Sequence, residues 1–270
     1  MKVLVTNDDG VASPGLHALV RAVTGDGHDV MVAAPDRDMS GSGAAIGRIH
    51  LDEHIDAQPV ELPGLAGVPA FAVDGPPGLC VLAARLGGFG PPPDVVVSGI
   101  NPGCNTGRAV LHSGTVGAAL TAANFGCRGL AVSIDVPSRP AADGSTGPRH
   151  WATAAQVAAA ALPWLAAAPA GTVLNLNVPD LPAERLAGAR VATLAPFGTV
   201  RSAVVESAEG GGRLQMELRP TDDELPPDCD TALVKQGFVA VSPITGIRFD
   251  EASDVSEVLR AVVTEGRRTA

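Results

Sequence analysis

The sequence predicts an α/β fold: a Rossmann-like, three-layer arrangement around a mostly parallel sheet, extended near its C-terminal end by a β-hairpin. Three observations carry that expectation. Short β-branched runs alternate with longer stretches of helical period through the first two thirds of the 270 residues. The runs are apolar almost throughout, as strands covered on both faces are. Past Gly188 the rhythm changes to more polar strand-like runs, two of them joined by the flexible turn EGGG, which reads as a hairpin arm. Repeated strand, helix, strand units place parallel strands side by side through right-handed crossovers.

Taken in order, Val3 to Thr6, Asp29 to Ala33, Asp94 to Ser98, Leu130 to Ile134 and Thr172 to Asn177 read as buried strands. Gly15 to Val23, Gly78 to Leu86, Gly114 to Phe125 and His150 to Leu165 carry the helical period between them. Residues 47 to 73 break the alternation, and Arg48 to Ile55 and Val68 to Val73 are expected as extra strands about a Pro/Gly-rich bend. Ala152 to Ala170 is apolar enough to raise the question of a membrane span. It is mostly Ala, however, and is broken by Gln156 and Pro163, so a core-packed helix is expected. Later strands are expected at Arg190 to Leu194, Val200 to Glu206 and Arg213 to Arg219. An acidic loop at 220 to 232, PTDDELPPDCDTA, then leads to a terminal strand at Gly237 to Val241 and a closing amphipathic helix at Ser253 to Thr264. Residues 1–270 read as a single domain, within which 196–245 form an arm and terminal strand suited to packing on another subunit.

With 46% apolar residues the chain has ample material for a large core. A formal charge of −10 argues against a nucleic-acid polymer or an anionic membrane as partner, since neither offers a counterion-release gain. Lys2 and Lys235 are the only lysines, and Tyr is missing; this is read as coding bias. Cys80, Cys104, Cys127 and Cys229 form no C-x-x-C pair and read as reduced thiols. The start, MKVLVTNDDG, lacks the pattern of a signal peptide, so a cytoplasmic protein is expected.

Ligands of an open parallel sheet bind outside the carboxyl ends of its strands, so the loops there are the ones to inspect. After the first strand come Asn7, Asp8, Asp9 and Gly10, and after the second APDRDMSGSG; the third offers GINPGCNTG, and HSGTVGAAL opens a helix. Two adjacent carboxylates raise each other's pKa in a partly buried site unless a cation compensates them. The pair has a plainer reading too, as a solvated loop or a helix cap. Ser40 and Asn101 lie in glycine-flanked loops that the same sheet edge would gather, although each is also an ordinary turn former. Oxygen donors of this kind suit magnesium, manganese or calcium better than zinc. Ser113, Gly114 and Thr115 stand where a helix N-terminus would offer free N–H groups to a phosphate, or where they would simply cap the helix.

VLVTNDDGVASPGLHALVRAV, VAAPDRDMSGSG, VVVSGINPGCNTG and HSGTVGAAL, in that order and spacing, closely resemble the SurE family of metal-dependent nucleotidases. The likeness is dense from residue 1 to about 135 and continues more loosely through TVLNLNVPDLP and GFVAVSPI. It implies a phosphatase of nucleoside 5′- and often 3′-monophosphates, with short polyphosphate taken by some relatives, working with one divalent ion per subunit. Carried over by motif, the ion's ligands are Asp8, Asp9, Ser40 and Asn101. Asn105, Ser113 and Thr115 surround the phosphate, with Gly41, Ser42 and Gly114 lining it, and Asp8, Asn105 and Ser113 are the catalytic candidates. Asp8 would orient or deprotonate the attacking water, or act as nucleophile. The hairpin and the loop after it resemble a dimerisation arm that exchanges between subunits, which implies a homodimer or homotetramer.

The chain departs from the family pattern in RAVLH, with Arg108 and His112, and in DGPPGLC at Asp74 to Cys80. These departures keep a second class of function open: a ligand-binding or assembly protein on the same fold with weak or altered phosphatase activity. A receiver domain fits poorly, because neither lysine falls after a fifth strand. A haloacid-dehalogenase-like phosphatase needs D-x-D, and here Asp9 is adjacent to Asp8 and is followed by Gly10.

Overall fold

The computed structural model describes residues 1–47, 54–136, 149–196, 200–206, 214–220 and 224–247. Its strands are β1 Lys2–Thr6, β2 Asp29–Pro35, β3 Ala57–Pro59, β4 Ala70–Val73, β5 Val95–Pro102, β6 Arg128–Asp135, β7 Val173–Pro179, β8 Ala189–Val191, β9 Val200–Glu206, β10 Leu214–Pro220 and β11 Val239–Ile244. The helices are α1 Pro14–Gly25, α2 Pro77–Arg85, α3 Gly114–Asn124, α4 Trp151–Ala167 and α5 Asp230–Lys235. Nine strands form one sheet in the order β3-β4-β2-β1-β5-β6-β7-β11-β8. From β4 to β7 every neighbouring pair is parallel, while β3 and β11 run antiparallel to β4 and β7. The chain therefore leaves β1 toward β2 and β4, returns to β5, and proceeds outward to β6 and β7. This reversal makes the carboxyl ends of β1 and β5 the switch point of the sheet.

The three layers follow from strand alternation. Val3 and Val5 of β1 and Val95 and Val97 of β5 join the core formed with Leu16 and Leu19 of α1 and Leu162 and Leu165 of α4. Leu4 and Val96, pointing the other way, join Leu79 of α2 and Ala118 and Ala122 of α3. Each of the wholly buried leucines contributes about 1.5–3 kcal/mol of transfer free energy. The α1/α4 face, with its longer side chains, is thus the heavier half of the core.

α4 runs from Trp151 through Pro163 to Ala167, close to the expected helix at His150 to Leu165. Proline removes a single bond to the carbonyl four residues earlier, and Leu162 and Leu165, both fully buried, keep the last turns on the core. Among the described residues no helix is long and apolar enough to cross a membrane.

Other boundaries move. Residues 54–56 are not strand and β3 follows them, whereas 48–53 lie outside the described residues. β8 stops at Val191; beyond it Thr193 makes one isolated bridge to Cys229. The acidic loop ends earlier than expected, because α5 starts at Asp230 with its acid in the first turn, where the helix dipole favours it. The terminal strand shifts to Val239–Ile244. β9 and β10 do form an antiparallel hairpin, from Val200↔Pro220 to Glu206↔Leu214. The EGGG turn and the closing helix at 253–264 lie outside the described residues.

Two glycines allow backbones to meet near the switch point. A Cβ at Gly15 of α1 would overlap the carbonyl of Ile100 in β5, and one at Gly117 of α3 would overlap the backbone of Gly43 and Ala44. Gly25, by contrast, has open space around it. Gly117→Ala is expected to lower unfolding free energy by about 1–3 kcal/mol, and Gly25→Ala to be neutral or slightly stabilising, as read by chemical denaturation. Equal stability of the two variants would contradict the packing of α3 on this loop.

Candidate active site

β1 ends in a turn built for close approach. Asn7 Nδ2 donates to the Gly10 carbonyl at 3.0 Å, and Gly10 has φ +98°, with Arg37 main chain 3.2 Å from where a Cβ would stand. Only glycine takes that conformation without strain. The turn leaves Asp8 buried and Asp9 half-buried.

Two further segments dock on Asp8. The Met39 N–H donates to the Asp8 carbonyl at 2.7 Å, and the Ser42 N–H closes a turn on the Met39 carbonyl at 3.1 Å. Ser40 N–H donates to Asp38 Oδ1 at 2.8 Å, and the Ser40 hydroxyl, then this N–H, holds that carboxyl below its ordinary range. From the third segment, Thr115 Oγ1 donates to Asp8 Oδ1 at 2.5 Å. Gly114 lies so close that a Cβ would stand 2.7 Å from Asp8 Cβ and 2.7 Å from Ser42 Oγ. Gly43 N–H reaches the His112 carbonyl at 3.1 Å, closing the ring of contacts. Ser113 caps α3, its Oγ accepting from the Val116 N–H at 3.1 Å.

Asn101 lies near the end of β5, on the strand beside β1, where Thr6 pairs with Ser98. Its Nδ2 is given to the Gly103 carbonyl at 2.6 Å, so the amide oxygen is the atom left to offer a cation. Asn105 sits farther along the same edge, over β6 and β7. Its Nδ2 donates to Ser133 Oγ at 2.9 Å and its N–H to Asn177 Oδ1 at 2.8 Å.

The structure thus gathers Asp8, Asp9, the Ser40 to Ser42 loop, Ser113, Gly114 and Thr115 at one point, with Asn101 on the adjacent strand. Thr115 is fully buried and its hydroxyl is committed to Asp8. Arg108 and His112 are exposed at the rim. Asp74 pairs with Arg37 at 2.7 Å, and burial pushes the Cys80 thiol up to about 12, so neither supplies chemistry.

Electrostatics make the acid pair costly. Burial raises the pKa of Asp8, against the Thr115 hydroxyl and the N–H groups of Asp8 and Thr115, which lower it. Asp9 is pushed up to about 7, first by burial, then by the charges of Asp8 and Asp38, with Arg149 opposing. Asp9 Oδ2 and Ser42 Oγ are buried with no partner among the described residues. Within those residues no three His, Cys, Asp or Glu side chains cluster as a metal site. The available donor set is two carboxylates with neutral hydroxyl and amide oxygens, which fits a hard divalent ion.

Sequence reasoning missed Asp38, Arg149, Ser133, Asn175 and Asn177. The last two had a signal, since N-x-N inside the otherwise apolar VLNLNVP puts two amides on one face of a buried strand. Arg149 is set by the chain after it: His150 N–H and Nδ1 meet Asp180 Oδ1 at 2.7 and 2.9 Å, and the guanidinium lies 5.6 Å from the Trp151 ring centre. Nothing local in the sequence points Arg149 toward Asp9.

Comparison with known proteins finds similar chains over most of its length. The family model described as survival protein SurE matches residues 3–198. Over 248 residues the chain is 35% identical to the 5′-nucleotidase SurE of Aeromonas hydrophila, covering 91% of this chain and 92% of that protein. It is 34% identical over 247 residues to the 5′/3′-nucleotidase SurE of Serratia proteamaculans, covering 90% of each. The crystal structure of the SurE protein from Aquifex aeolicus is similar with a TM-score of 0.72 at 25% identity, covering 97% of this chain and 98% of that one.

Asp9 carries its proton up to about 7 in the fold against 3.8 as the unperturbed value. Its contribution to stability is therefore complete below 3.8 and is lost as pH rises through about 7. In chelator, the melting temperature of the native protein is expected to fall relative to that of Asp9→Asn across this window. A divalent ion held by Asp9 would bind more tightly as pH rises, because it would displace that proton. Parallel pH profiles for the two proteins by scanning fluorimetry would rule this out.

Proposed function

The chain belongs to the SurE family, and from that premise we propose that it is a divalent-metal-dependent phosphomonoesterase that hydrolyses nucleoside 5′-monophosphates to nucleoside and phosphate. Nucleoside 3′-monophosphates and short polyphosphate are further candidate substrates, and the cytoplasm is the proposed location. The observation that carries this reading is the meeting of Asp8 with the N-terminus of α3, beside a second carboxylate whose Oδ2 has no partner among the described residues. A helix N-terminus is suited to phosphate, and an acid pair is suited to a cation; phosphoryl transfer needs both together.

Asp8, Asp9, Ser40 and Asn101 would hold one ion, magnesium or manganese before calcium. When bound, the ion supplies Lewis acidity toward a phosphoryl oxygen. The chain's own groups do the rest. Ser113, the Gly114 and Thr115 main chain, the Gly41 and Ser42 loop and the Asn105 amide bind the equatorial phosphoryl oxygens and favour the charge that builds there. Thr115 fixes Asp8 Oδ1, which leaves Oδ2 to orient the attacking water and take its proton. The water oxygen bonds to phosphorus, the ester P–O bond breaks, and the departing oxygen recovers a proton as the nucleoside hydroxyl.

We further propose that residues 1–270 act as one domain that assembles as a homodimer or homotetramer through the hairpin of β9 and β10, within the 196–245 expected as arm and terminal strand; β11 of that range belongs to the main sheet. Among the described residues β9 pairs only with β10, so the hairpin stands apart from the main sheet. A monodisperse monomer by light scattering would sink the assembly reading.

Purified protein with magnesium or manganese is expected to release phosphate from nucleoside 5′-monophosphates and from a generic aryl phosphate. Asp8→Asn should lower kcat by about 10²–10⁴-fold. Wild type and variant equally silent with every divalent ion would overturn the enzyme reading and leave the binding or assembly protein in its place.

A further inference from the structure

Asn105 is held from beneath by side chains rather than by its own strand. Its carbonyl accepts from Asn175 Nδ2 at 2.8 Å and from Asn177 Nδ2 at 3.0 Å, while its N–H donates to Asn177 Oδ1 at 2.8 Å. Asn177 therefore presents one amide to both polar atoms of the Asn105 main chain, as a neighbouring strand would. Ser133 Oγ, on β6, takes one Nδ2 hydrogen of the Asn105 side chain at 2.9 Å. Asn177 and Ser133 face each other across β6 and β7 in parallel register, and neither side chain has any solvent exposure.

Burying an amide costs about 1–3 kcal/mol unless it is hydrogen-bonded. Leucine at 177 would extend the apolar run of β7 without that cost, so packing alone does not account for asparagine there. What the amide does is fix a loop residue. The flanking chain is pinned as well: Gly103 N–H donates to the Ile134 carbonyl at 2.9 Å, and Gly107 N–H to the buried Asp230 Oδ2 at 2.8 Å. With its main chain and one Nδ2 hydrogen fixed, Asn105 keeps its Oδ1 and second Nδ2 hydrogen for another partner.

We propose that Asn177 and Ser133 are positioning residues of the phosphatase reaction, which set the main chain and the amide plane of Asn105 so that its remaining N–H meets a phosphoryl oxygen. This rests on the function proposed above and goes beyond it by assigning work to residues that do not touch substrate. Asparagine is required at 177 because it matches a donor and an acceptor at once. Aspartate keeps the acceptor for the Asn105 N–H but sets a second oxygen against the Asn105 carbonyl.

The test is a pair of double-mutant cycles on phosphate release from an aryl phosphate with manganese, combining Asn177→Asp and Ser133→Ala each with Asn105→Ala. In the native background each single variant is expected to lower kcat by about 10-fold or more while KM changes far less, since sub-ångström misplacement acts on the transition state. On Asn105→Ala, the same substitutions should change kcat by less than about 3-fold, because non-additivity marks residues that act through one another. A structural effect alone would multiply into both backgrounds, and that result overturns the inference. Should Asn177→Asp fail to fold, Ser133→Ala, which leaves the Asn105 main chain untouched, decides the question by the same comparison. A silent native protein would instead overturn the function itself. An active one insensitive to Asn105→Ala would overturn only the positioning.

Discussion

The site depends on Asp8 being held where a carboxylate is least comfortable. It is buried, adjacent to a second acid and near a third, in a chain that is already strongly acidic. Thr115 and the first turn of α3 make this tolerable by bringing hydroxyl and N–H donors to it. That approach needs Gly114, whose missing side chain leaves the space Asp8 and Ser42 occupy, and Gly117, where α3 meets the backbone of Gly43. The helix is thus placed by the need to reach one carboxylate. The loop after β2 is bound to the same residue through its carbonyl, so two distant segments converge on Asp8 by contacts of different chemistry.

A second constraint runs along the whole sheet edge. The strands are apolar at their amino ends and turn polar at their carboxyl ends: Val95 to Val97 give way to Ser98 and Asn101 in β5, and Leu130 to Val132 to Ser133 in β6. In β7 the amides of Asn175 and Asn177 lie within the buried stretch itself. The apolar residues make the core, while Asn101, Asn175 and Asn177 bond loop backbone and Ser133 bonds the Asn105 side chain. The same strands that fold the domain thus also set the height of the loops above them.

Much of this was legible in the sequence, for physical reasons. Buried parallel strands cannot hide, since both faces must be apolar, and glycine-flanked loops after them mark where backbone approaches a ligand. Hence β1, β2, β5, β6, β7 and the four long helices stand close to their expected positions, and the Asp8, Ser40, Asn101 and Ser113 loops lie on the expected edge. What failed was short or nonlocal. α5 has six residues, too few to display a period inside an acidic, proline-containing loop. Arg149 and Asp38 matter through distance in space to Asp9, which residue spacing does not encode.

The two aspartates are not equivalent, and this limits how the proposed reaction can use them. Asp8 has one oxygen committed to Thr115 and the other facing Gly114, so binding an ion and handling a proton would compete for a single atom. Asp9 Oδ2 is buried and has no partner among the described residues, yet burial, and then the charges of Asp8 and Asp38, favour the protonated form of Asp9. A dication reverses that preference at Asp9 with the least disturbance, because no hydrogen bond to Oδ2 has to be broken. Ser40 and Asn101 would then serve as neutral donors, adding oxygen without adding charge. A third carboxylate in their place would deepen the repulsion that helps raise Asp9, to which Asp38 already contributes. In the proposed reaction Asp9 would therefore hold the ion more firmly, and Asp8 would be the residue placed to act at the α3 terminus.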